Sequence, residues 1–117
     1  MPVRMRQMAR GPRFRQGTLQ MKPGYVYILT NKPNGVLYIG VTSNLAQRIE
    51  QHRARAVPGF TKTYNCERLV WYEVFENIDD AVQFEVRMKK WNQDWKVARI
   101  VERNPEWRDL FEEGLLP

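Results

Sequence analysis

The chain has 117 residues, enough for one domain with a core of its own and too few for two ordinary ones. Its 19 basic and 13 acidic residues give a formal net charge of +6, and Arg4, Arg6, Arg10, Arg13, Arg15 and Lys22 carry the whole excess, so residues 23–117 are formally neutral. A single cysteine, Cys66, excludes an internal disulfide, and no apolar run approaches transmembrane length. These features lead us to expect a cytoplasmic protein with neither a membrane nor a disulfide-linked partner.

Residues 1–22 have no acid and no apolar periodicity, so they are expected to be a disordered basic tail. It reads either as a non-specific nucleic-acid tether or as an inert extension. The domain is expected over 23–113, with 114–117 as a short C-terminal tail. Tyr25–Thr30 and Val36–Val41 are β-branched and aromatic and read as two strands. Asn34-Gly35 between them predicts a two-residue hairpin turn in which both residues take positive φ. Because side chains alternate along a strand, any even-numbered loop puts Tyr27 and Tyr38 on one sheet face with Leu29 and Gly40. Gly40 is expected to leave a gap there for a ligand or another backbone.

Asn44, with Gln47 three residues on, reads as a cap and capping-box partner for a helix over about 45–56, ended by Pro58-Gly59. Leu69–Phe75 reads as a third strand. Asn77 caps a helix from Ile78 to about Trp91, with Asp79 and Asp80 at its positive end. Lys96–Arg103 and Glu106–Glu112 read as two further helices separated by Asn104-Pro105. The fold class is α+β: a three-stranded antiparallel sheet flanked by helices, in the order β-β-α-β-α-α-α.

Arg48, His52 and Arg55 share one side of the first helix. An arginine fork matches phosphate oxygens, and a neutral histidine one turn later can take a proton. The plainer reading is a solvated polar face. Glu85 falls within the apolar stripe of the second helix, among Ile78, Ala81, Val82 and Met88. A carboxylate there needs a cation, a metal or hydrogen bonds. An ion pair with Lys89, four residues on, is the plainer alternative.

Tyr25-Val26-Tyr27 and Tyr38-Ile39-Gly40, followed by Arg48, His52 and Glu85, resemble the GIY-YIG nuclease superfamily over about residues 23–95, and in particular its small stand-alone bacterial members. The resemblance implies a divalent-metal-dependent endonuclease acting on DNA, with Mg²⁺ or Mn²⁺ as cofactor. It implies Tyr27, Tyr38, Arg48, His52 and Glu85 as catalytic residues, with Glu85 binding the metal. Gly40, Arg48 and Arg55 would contact substrate. The chain departs from the family pattern in carrying Val97 where many members have asparagine, with Asn92 and Asn104 on either side. Two alternatives stay open: a catalytically silent nucleic-acid-binding module on the same fold, and a protein adaptor using Trp91, Trp95 and Trp107.

Overall fold

The protein is described by a computed structural model covering residues 22–54, 59 and 64–112. The readings made for residues 1–21, Arg55, Pro58 and 113–117 lie outside the described residues. Three strands, β1 (Gly24–Thr30), β2 (Leu37–Thr42) and β3 (Arg68–Phe75), and three helices, α1 (Leu45–Arg53), α2 (Ile78–Lys89) and α3 (Gln93–Arg103), follow one another in the order β1-β2-α1-β3-α2-α3. The sheet is antiparallel in the order β2-β1-β3, with β1 central.

The expected parity is present, although the expected turn is not. Tyr27 pairs with Gly40 and Leu29 with Tyr38, two residues out of the register that an Asn34-Gly35 turn would impose. The Gly35 amide instead donates to the Lys32 carbonyl at 2.9 Å, closing a turn with Pro33 and Asn34 at its centre. Asn34 takes φ 58, and proline followed by a positive φ is the pattern of a type II turn. Pro33 decides this, because in the expected register it would sit in the ladder without an N–H to donate. The Val36 amide donates to the Asn31 side chain at 3.0 Å and closes the loop. The loop is even-numbered, so the tyrosines stay on one face.

Alternation along β1 builds two cores. Val26 and Ile28 join Ile39, Val70, Trp71, Ala81, Met88, Ile100 and Trp107 on the α2–α3 side. Tyr27 and Leu29 join Leu45, Ile49, Cys66 and Leu69 on the α1 side. A register shift opposite Ile28 and Leu29 lets the consecutive Val70 and Trp71 enter the same cluster.

The Asn44 side chain accepts from the Gln47 amide at 3.1 Å, as the cap predicts. Asn44's own amide donates to the Thr42 hydroxyl at 3.1 Å, a bond that the capping box had assigned to Gln47. Asn77 caps α2 by accepting from the Asp80 amide at 2.9 Å. The buried stripe of α2 is narrower than expected, since Val82 is 40% exposed while Ala81, Glu85 and Met88 are buried.

The expected last helix does not form among the described residues. Trp107 takes φ 57, a left-handed conformation that interrupts a helix, and its indole is buried. The buried Asn104 donates to the Val70 and Arg108 carbonyls and accepts from the Arg108 amide, each at 3.0 Å. The Leu110 amide donates to the Leu69 carbonyl at 2.8 Å. These groups serve the outer edge of β3, which would otherwise be unpaired. Arg53 on α1 pairs with Asp109, tying this segment to the first helix.

Candidate active site

Tyr27 projects from the middle of the central strand, where its phenol lies over Gly40. A Cβ at position 40 would stand 2.4 Å from Tyr27 Oη. The gap expected for a ligand is therefore filled from within: Gly40 is small so that Tyr27 can cross the neighbouring strand. Tyr38, on β2, has its ring centroid 6.3 Å from that of Tyr27.

α1 covers this face with Leu45, Ile49 and His52, at the three- and four-residue spacings that place them on one side of a helix. His52 Nε2 lies 3.1 Å from Tyr27 Oη in a buried hydrogen bond. The imidazole also meets both tyrosine rings edge-on, with centroids 5.9 Å from Tyr27 and 5.5 Å from Tyr38. Arg48, one turn earlier, is near enough for its charge to act on both the Tyr27 phenol and the imidazole.

Burial raises the Tyr27 pKa well above the usual phenol range; neighbouring Tyr38 and Glu85 add to the shift, and the charge and hydrogen bond of Arg48 oppose it. Burial also lowers the His52 pKa, helped by the Arg48 charge, so the imidazole is neutral at pH 7. The pair is thus a protonated phenol beside a neutral base.

Glu85, on α2, is near enough for its charge to make the smallest of the contributions to the raised Tyr27 pKa. The residue is 8% exposed, and Lys89 Nζ stands 2.7 Å from its Oε2. The carboxylate is therefore both in the apolar stripe and paired with Lys89. Among the described residues no three His, Cys, Asp or Glu side chains cluster as a metal cage. A single buried carboxylate that already holds a cation fits magnesium, which keeps most of its waters, and does not fit a zinc-type site.

Tyr27, Tyr38, Arg48 and His52 thus stand together, with Glu85 electrostatically joined to them. Arg55 lies outside the described residues. Neither asparagine near position 97 takes the family role: Asn92 caps α3 by accepting from the Trp95 amide at 2.9 Å, and Asn104 braces β3. Of the tryptophans suggested for an adaptor, Trp107 enters the core, while Trp91 and Trp95 stay together with ring centroids 6.2 Å apart and Trp95 61% exposed. Lys89 is the residue near this site whose part the sequence understated; the four-residue spacing was its only signal.

The profile of the GIY-YIG catalytic domain family matches residues 23–98. A UPF0213 protein of Staphylococcus haemolyticus is 36% identical over 83 residues, which are 71% of this chain and 100% of that protein. Another from Clostridium perfringens is 37% identical over 76 residues, 65% of this chain and 81% of the relative. The solution structure of a UPF0213 protein from Bacillus halodurans is 23% identical and covers 77% of this chain and 95% of its own, with a TM-score of 0.48.

Proposed function

Because the chain belongs to the GIY-YIG catalytic domain family, we propose that it is a divalent-metal-dependent endonuclease that hydrolyses phosphodiester bonds in DNA. The observation that carries this reading is the buried Tyr27–His52 hydrogen bond, a protonated phenol against a neutral imidazole, with the half-buried Arg48 charge acting on both. Such a pair is costly to bury and contributes little to a core that apolar side chains could fill.

Tyr27 is fully buried, whereas Tyr38 is partly exposed. Tyr38 is therefore the phenol that meets solvent, and it orients the attacking water. Tyr27 is a positioning residue that fixes Arg48 and His52. Neutral His52, whose ring stands against Tyr38, is the base of the cluster and takes up the proton of the attacking water that Tyr38 orients. Arg48 neutralises charge growing on the phosphate oxygens. Glu85 would hold Mg²⁺ or Mn²⁺, which supplies Lewis-acid polarisation of the phosphate and stabilises the leaving oxygen.

The direct test is incubation of the purified chain with single-stranded, duplex, flap and RNA substrates in Mg²⁺, in Mn²⁺ and in excess chelator. Cleavage of a DNA substrate that stops on chelation is the expected result. Binding without cleavage of any substrate would favour the silent binding module.

A further inference from the structure

The Glu85–Lys89 pair is unequal. Its acid is nine-tenths buried, while the Lys89 side chain is 53% exposed on a flexible four-carbon stem. An ion pair between neighbouring turns on a solvated face is commonplace and weak. This one is different because the carboxylate is the acid whose charge reaches Tyr27, and Lys89 Nζ lies 2.7 Å from its oxygen. An ammonium in hydrogen-bond contact and a divalent cation cannot share that oxygen without strong like-charge repulsion.

We infer that Lys89 is an exchangeable counter-ion: it neutralises Glu85 in the empty site, and when a divalent cation takes Glu85 it swings out to bind a phosphate of the nucleic acid. This rests on the reading of Glu85 as the metal-binding carboxylate. Lysine suits the task. Its ammonium is a compact point charge with three donors, its stem rotates freely, and it binds phosphate without needing the fixed fork of an arginine. Its exposure leaves room for the swing, and α2 holds its backbone within one turn of Glu85. The exchange makes metal and nucleic acid mutually reinforcing ligands. Metal releases the ammonium that holds the strand, and a bound strand keeps the ammonium from returning to Glu85; linkage requires the two effects to be equal.

The test measures binding. Manganese is titrated calorimetrically into the full chain and into Lys89→Met, Lys89→Arg and Glu85→Gln, each checked by thermal melting. A fluorescent 20-nucleotide phosphorothioate strand and its duplex are then titrated with Mn²⁺ and with chelator. Lys89→Met should bind Mn²⁺ roughly fivefold more tightly than the parent, since a modest ion pair no longer competes. Its affinity for the oligonucleotides should fall only when Mn²⁺ is present, and Lys89→Arg should restore most of that loss. Equal Mn²⁺ affinity in parent and Lys89→Met, with Glu85→Gln weaker, overturns the exchange and leaves the metal site standing. An equal loss of oligonucleotide affinity with and without Mn²⁺ overturns it too, because Lys89 would then contact the strand independently of Glu85. Mn²⁺ affinity unaffected by Glu85→Gln overturns the exchange together with the metal-site reading.

Discussion

The two faces of β1 use adjacent residues for opposite purposes. Val26 and Ile28 enter an apolar cluster with Trp71, Met88 and Ile100. Tyr27, between them in sequence, turns a phenol toward His52 and Arg48. Both faces are buried, so burial does not tell them apart. They differ in what each buried atom requires. The α2–α3 face is satisfied by contact and area, so its residues act on stability. The α1 face also has an apolar core, but it adds polar groups that need partners at fixed places, and position 40 matters to it because its small size seats Tyr27. Lesions among the apolar residues of either face should lower stability; loss of the half-buried Arg48 on the second should lower turnover and leave the melt nearly unchanged.

The largest stability loss should come from the first face. Trp71 is 1% exposed and in the cluster, so Trp71→Ala should cost about 3–5 kcal/mol, a large part of a typical domain's stability. Urea unfolding measures it, and a change below about 1 kcal/mol would remove the contrast between the faces. On the second face, Arg48→Ala should slow single-turnover cleavage about a hundredfold or more. Its melting temperature should barely move, and a large drop would make Arg48 a structural residue.

Gly40→Ala tests the seating of Tyr27. The added methyl would meet a buried ring, so it should cost about 1–3 kcal/mol and displace the phenol. Stability and cleavage should therefore fall together, in contrast to Arg48→Ala.

The smallest effect is a pH dependence. The His52 pKa is lowered by folding, so the unfolded chain binds the proton more readily than the folded one. Stability should accordingly be complete above the ordinary histidine value near 6.5 and decline as pH falls below it. The chain has one histidine, so its imidazole proton resonance gives the titration without ambiguity. A midpoint above 6.5 would mean that the imidazole is stabilised as a cation and cannot serve as the neutral base. Tyr27 acts at the other extreme. Its phenol resists ionisation when folded, so stability should decline as pH rises past the usual tyrosine range.

How much of this the sequence revealed follows from the range of the interactions involved. Strand alternation is local, so the shared face of Tyr27 and Tyr38 was legible even though the turn was misread. The caps at Asn44 and Asn77 were equally local. Glu85 was legible as a carboxylate in an apolar stripe, and the plainer reading, an ion pair with Lys89 four residues on, is the one present. The filling of the Gly40 gap was not legible, because it depends on a tyrosine thirteen residues away across a strand pair. The missing last helix was hidden for the same reason. Glu106–Glu112 has helical composition, but Asn104 and Leu110 direct their hydrogen bonds to β3, more than thirty residues back in sequence.

The central claim is that the α1 face, completed by Glu85, is a metal-assisted phosphodiesterase site. Single-turnover cleavage at saturating enzyme, comparing the parent with Glu85→Gln in Mg²⁺, tests it most directly, with circular dichroism as the control for folding. The substitution keeps the side chain's shape and removes its charge, so the account predicts a folded protein with no metal-dependent cleavage. Parental cleavage by a folded Glu85→Gln protein would contradict it.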